Sequence, residues 1–191
     1  MSPRRGLLAG LWKVALVSVA IAAPAGAAEH GPGASQVARD PWADMRFLVG
    51  DWAGEGGGQP GSGSGEYSFR FELGGKILVR RSFAEYPATE DRAAFQHDDL
   101  MIVYAEPGQS GLAAIFFDGE GHVIHYQVTS AGKGRSVVFL SEPAPGVPRY
   151  RLTYDDLAGD RVDLKFEIAP PSDPSAFHLY VTARCHRVGK T

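Results

Sequence analysis

The chain has 191 residues, a formal net charge of -3 from 19 Lys/Arg against 22 Asp/Glu, 44% hydrophobic residues and a single cysteine. A mildly acidic balance without a lysine or arginine run lacks the electrostatic footprint that a phosphate backbone or an anionic lipid surface requires, which excludes nucleic-acid binding and polybasic membrane attachment. One thiol, Cys185, excludes an intramolecular disulfide, so stability must come from a hydrophobic core, in which Cys185 is expected as a small apolar residue.

The N-terminus reads as an export signal. Arg4, Arg5 and Lys13 form a basic start, an uncharged and largely apolar run covers 14–28, and Ala25-Gly26-Ala27-Ala28 offers small residues for cleavage after Ala27 or Ala28. The run is shorter than the roughly 20 apolar residues of a membrane-crossing helix, so no membrane span is expected after cleavage. Arg4-Arg5 before Gly6-Leu7-Leu8 is similar to a twin-arginine signal, and the general secretory route is equally open. Residues 1–28 carry three cations and no acid, so their removal takes the net charge from -3 to -6. The expected organisation is a signal peptide over 1–28, a flexible mature N-terminus over 29–39 that is rich in small residues, and one domain over 40–191 in the periplasm or outside the cell.

Asp40-Pro41 starts a short helix to about Leu48, with Asp as N-cap, Pro at the first helical position, and Trp42, Met45 and Val49 on one face. This helix is expected to plug one end of the domain. After Gly50 the pattern changes to period two. Tyr67, Phe69, Phe71 and Leu73 alternate with Glu66, Ser68, Arg70 and Glu72, the pattern of a strand with one dry face, and Gly74-Gly75 follows as a tight hairpin. Counting 51–56 and 76–84, similar runs recur at 99–105, 112–118, 122–129, 135–142, 149–155, 161–169 and 176–188, separated by Gly-rich turns. About ten strands with no room for crossover helices imply an all-β, closed, antiparallel up-and-down barrel, because closure removes the edges that an open meander would expose. At about eight strands a barrel is just filled, so one of about ten has room for a cavity.

The stretch Phe47-Leu48-Val49-Gly50-Asp51-Trp52-Ala53-Gly54-Glu55-Gly56 resembles the opening of lipocalin-like (calycin) and nitrobindin-like barrels. In those barrels a Gly-x-Trp at the start of the first strand packs its indole across the closed end, which makes Trp52 the structural barrel-end residue. Segments 74–80, 116–124 and 166–171 resemble a family of uncharacterised bacterial lipocalin-like barrel domains distantly similar to the nitrobindin-like ones. The likeness runs over 47–187 and implies a fold, which by itself hosts many functions.

The expected register sorts side chains into lumen and exterior. A two-residue turn at Gly74-Gly75 pairs Phe71 with Leu78, Phe69 with Arg80 and Tyr67 with Ser82, placing Arg80 among aromatics where a guanidinium can clamp a carboxylate. A two-residue turn at Gly119-Glu120 pairs Phe117 with His122, and points His122, Ile124, Tyr126 and Val128 inward and His125 outward. His122 and His125 therefore lie on opposite faces and cannot share a metal, and no metal site is expected. The acid pairs Asp98-Asp99 and Asp155-Asp156 read as solvated loop-edge residues. No Gly-x-Ser-x-Gly, Walker loop, paired Cys-x-x-Cys or His-Glu-x-x-His occurs.

These residues lead to one main expectation: a barrel that binds a small apolar or carboxylate-bearing molecule. The inner face would comprise Tyr67, Phe69, Phe71, Tyr104, Phe117 and Tyr126, with Arg80 or His122 orienting the guest. Two alternatives stand beside it. His178 in the last strand resembles the haem-ligating histidine of nitrobindin-like domains, which isomerise peroxynitrite, so the resemblance implies haem as the one candidate cofactor; the apolar alternation of Phe177, Leu179, Val181, Ala183 and Cys185 would aim His178 at solvent unless a bulge intervenes. A barrel filled by its own side chains would instead serve as a structural or partner-binding module.

Overall fold

The computed structural model describes residues 40–108, 111–158 and 160–189. The expected signal peptide and flexible segment lie outside the described residues. Ten strands pair antiparallel: β1 (Gly50–Gly58), β2 (Gly63–Glu72), β3 (Ile77–Tyr86), β4 (Phe95–Ala105), β5 (Leu112–Asp118), β6 (Val123–Ala131), β7 (Ser136–Ser141), β8 (Arg149–Asp156), β9 (Arg161–Ala169) and β10 (His178–Arg187). Each strand bonds its sequence neighbours, and β1 bonds β10, so the meander closes into a barrel without a free edge.

Before β1 runs a six-residue 3-10 helix, Ala43–Leu48, where an α-helix was expected. Its tighter winding changes the buried face. At three residues per turn, Trp42, Met45 and Leu48 stack above one another, and these three are buried. Val49, expected on that face, leaves the helix with extended backbone. Asp40 still organises the start: its carboxylate accepts the Trp42 N–H at 3.0 Å and bonds Arg46 across the turn.

The Gly-x-Trp opening has a local physical cause. Trp52 is 2% exposed, donates its indole N–H to the Leu48 carbonyl at 2.8 Å, stacks on Tyr67 with centroids 6.1 Å apart, and carries the Arg187 guanidinium 4.3 Å over its ring. Arg187 also donates to the Val49 and Phe47 carbonyls. A Cβ on Gly50 would stand 2.3 Å from that guanidinium, and Gly50 has φ +133°, so a side chain there meets both a clash and backbone strain.

Antiparallel register then builds rows of inward side chains. Phe69 faces Arg80, Arg80 faces Met101, and Met101 faces Phe116. The β2–β3 register is the expected one, although Leu73 has left the ladder with φ +49° and is 73% exposed. The β5–β6 register is one residue off the expected one: Phe116 pairs with Ile124 and Phe117 with Val123. The turn has three residues instead of two. Asp118 accepts the backbone N–H groups of Glu120 and His122, and Gly121 takes φ +91°, the arrangement of a hairpin closed by a left-handed residue. Phe116 therefore turns inward and Phe117 outward, correcting the assignment of Phe117 to the inner face.

One half of the lumen is solid. Met45, Leu48, Trp52, Phe69, Leu78, Met101, Val103, Val137, Phe139, Tyr154 and Val162 are each at most 2% exposed and belong to one cluster.

Candidate functional site

Beyond the Tyr67–Arg80 level the other half of the lumen is open, with a cavity of about 450 Å³, within the roughly 300–1,000 Å³ of ordinary small-molecule sites. Its origin lies in β1 and β2. Gly54, Gly56, Gly63 and Gly65 hold consecutive inward positions, paired with each other and with Cys185 and Ala183 on β10. These strands press together so closely that a Cβ on Gly56 would lie 2.0 Å from the Thr182 carbonyl oxygen. A wall without side chains leaves the volume that aromatics occupy at the other end.

The remaining wall is apolar: Phe116, Ile124, Leu152, Leu164, Phe166 and Val181 contribute, with Tyr86 and Phe95 stacked 4.6 Å apart. A bulge between Leu179 and Val181 inserts Tyr180 into the register of β10, and Tyr180 and Val181 both reach the cavity. The bulge does not turn His178 inward. His178 is exposed and lies outside the cavity lining, so the axial imidazole implied by the nitrobindin-like resemblance has no counterpart at this position.

At the floor, Arg80 is 5% exposed and donates through Nη1 to Asp99 Oδ1. Burial alone would depress the Arg80 pKa, but the Asp99 carboxylate and the Tyr154 and Tyr67 oxygens outweigh it, and the group is held above its ordinary value and charged. Asp99 is correspondingly a buried residue, its side chain 7% exposed, which corrects its reading as a solvated loop-edge acid. The Arg80 guanidinium lies 5.4 Å over the Tyr67 ring. Three buried donors here lack a well-formed hydrogen bond, Tyr67 Oη, Tyr154 Oη and Arg80 Nε; Cys185 is the neighbour of the Tyr67 hydroxyl and Arg80 that of the Tyr154 hydroxyl. Burial pushes the Tyr67, Tyr126 and Tyr154 hydroxyls well above the usual phenol range, so all three stay protonated. Burial likewise raises the Cys185 thiol, which favours its apolar over its nucleophilic form.

At the mouth, His97 Nδ1 is 3.1 Å from the Glu120 carboxylate and Nε2 is 3.7 Å from Asp99 Oδ2. His122 Nδ1 lies 2.8 Å from Asp118 Oδ2. Burial opposes ionisation of Asp118, but the backbone and ring hydrogen bonds of His122 prevail and lower its pKa.

Of the residues expected from sequence, Tyr67, Arg80, His122 and Tyr126 line this one cavity. Phe69 is buried below it in the core, and Tyr104 falls on the opposite strand face from the buried Met101 and Val103; the alternation of β4 was placed one residue out. Asp99, Asp118, His97 and the glycine wall escaped sequence reasoning. The signals were present: Gly54-x-Gly56 and Gly63-x-Gly65 put bare positions on the face of Trp52 and Tyr67, and His97-x-Asp99 shares one face of a strand.

No protein-family model matches the chain and no curated protein does. Among solved structures, the crystal structure of Rv2717c from M. tuberculosis is similar in fold, with a TM-score of 0.51 at 15% identity over 78% of this chain and 98% of that one. Likeness at that identity concerns the fold.

Proposed function

We propose that this chain is a lipocalin/calycin-type binding barrel, closed at its filled end by the 3-10 segment, whose cavity takes one small lipophilic molecule with its oxygen seated at Tyr67 and Arg80. The carrying observation is a cavity with mainly apolar walls whose lining includes Tyr67 and Arg80, with Tyr67 Oη and Arg80 Nε buried just behind its surface without a well-formed hydrogen bond. An unmet buried donor costs about 1–3 kcal/mol, and a guest oxygen accepting from it recovers that cost. Apolar burial at about 25 cal/mol per Å² supplies the remaining drive.

Electrostatics narrows the guest. The expected clamp of Arg80 on a carboxylate is opposed because its charge is already matched by Asp99, while Asp118 and Glu120 add negative charge along the same wall. A neutral acceptor such as an alcohol or carbonyl is therefore favoured over an anion. Displacement of the neutral dye Nile red from the purified protein tests this: 1-octanol is expected to compete more strongly than octanoate at neutral pH. Absence of dye binding, or stronger competition by octanoate, rejects the assignment.

The expected export signal makes the site of action the periplasm or the exterior. N-terminal sequencing of protein recovered from the expressing cell's exterior or periplasm should begin at Ala28 or Glu29; retention of an unprocessed chain in the cytoplasm contradicts that placement.

A further inference from the structure

We propose that the mouth of the cavity is a divalent transition-metal site formed by His97, Asp118 and Glu120. One ligand atom from each of these residues lies within 4.8 Å of the other two. Ligands about 2.1 Å from a tetrahedral ion stand about 3.4 Å apart, so small side-chain rotations close the set. His97 Nδ1 and Glu120 are already 3.1 Å apart.

The fold fixes this cluster from three directions. Asp118 ends β5 and Glu120 sits in the following turn, which is fastened to β4 by Gly119 N–H donating to the Asp98 carbonyl at 3.0 Å. The N–H groups of Glu120 and His122 occupy both lone pairs of Asp118 Oδ1 and hold it in place, which leaves Oδ2, bonded to His122 Nδ1 at 2.8 Å, with a second lone pair for an ion. On the far side of the His97 ring, Nε2 faces Asp99 at 3.7 Å, and Asp99 is itself anchored by Arg80. That order, an anchored carboxylate behind an imidazole whose other nitrogen faces the ligand set, is how proteins orient metal-bound histidines.

Charge gives an independent reason. Asp99 and Asp118 are directly opposite across β4–β5, and each side chain is 7% exposed. Like charges in that relation destabilise a sheet. Glu120 adds a further carboxylate, and because Arg80, the one lysine or arginine among the described lining residues, is already matched by Asp99, Asp118 and Glu120 make up the excess at the mouth. A divalent cation balances the excess. The imidazole selects a borderline ion of the zinc or cobalt kind over magnesium or calcium, which prefer oxygen alone. The site stands whether or not the cavity takes an apolar guest.

Co²⁺ is the probe. Full-length protein treated with chelator, dialysed free of it and titrated with Co²⁺ should bind one ion per chain, develop visible ligand-field bands and lose them to Zn²⁺. His97→Ala and Glu120→Gln should each weaken binding about tenfold or more, while His125→Ala and His178→Ala, both at exposed positions, should leave it unchanged. Glu120 is itself exposed, so its variant reads the site even where His97→Ala disturbs folding. No uptake by the folded protein overturns the proposal. Uptake that survives both mouth variants, or that vanishes with His125 or His178, identifies adventitious surface binding and overturns it equally.

Discussion

Arg80 and Asp99 form a buried pair whose members depend on each other. Removing one leaves an uncompensated charge in the barrel, so Arg80→Met is expected to cost about 3–5 kcal/mol in urea unfolding. The double variant Arg80→Met/Asp99→Leu should cost less than that single change, and strict additivity would show that the two side chains are not coupled. Tyr67 carries the opposite signature. Its hydroxyl is buried without a well-formed hydrogen bond, so Tyr67→Phe should leave stability unchanged or raise it by up to about 1 kcal/mol while weakening 1-octanol competition. Loss of stability without loss of competition would assign Tyr67 to packing alone. Residue chemistry was partly legible in the sequence: the Phe69–Arg80 pairing followed from the hairpin, but the partner of Arg80 comes from β4, and no local pattern reveals which acid a third strand will present.

At the scale of elements, legibility followed the turns. The Gly74-Gly75 hairpin set the β2–β3 register correctly because the two glycines centre the loop. The β5–β6 turn misled because Asp118 caps it through its own carboxylate, adding Gly121 to the loop and exchanging Phe117 for Phe116 on the inner face. The helix before β1 showed the same sensitivity to period: a winding of three residues per turn selects Leu48, where 3.6 selects Val49. Leu48 is fully buried, and Leu48→Ala should lower stability by about 2–5 kcal/mol. Val49→Ala at the partly buried helix end should cost clearly less, and the reverse order in thermal unfolding would restore the α-helical register.

For the whole molecule, closure of the barrel is reinforced by ion pairs across neighbouring strands. Arg184 holds the Asp163 carboxyl below its usual range, and Arg151 does the same for Glu167. Because both folded-state values are lowered, their stabilisation is complete above the unfolded values of about 3.9 and 4.3 and is lost as pH falls through the folded ones. Urea midpoints should therefore be flat with respect to these groups near neutrality and decline below about pH 4, with a smaller decline in Asp163→Asn; an unchanged acid limb in that variant would remove Asp163 from the account. The barrel itself was legible from period two and regular turns. The division of its lumen was not, because which half stays open depends on bare glycine positions meeting small residues of β10 across the closure.

That division into a packed half and an open half underlies the proposed binding, and Nile red titration of the wild type beside Ala84→Phe tests it most directly. Ala84 lies on the cavity wall between Gly65 and His97, so a phenyl ring there fills the space without entering the packed half. The account predicts one dye per wild-type chain, at least about a tenfold loss of affinity in the variant, and similar thermal midpoints for the two. Undiminished dye binding by a folded Ala84→Phe chain would contradict it.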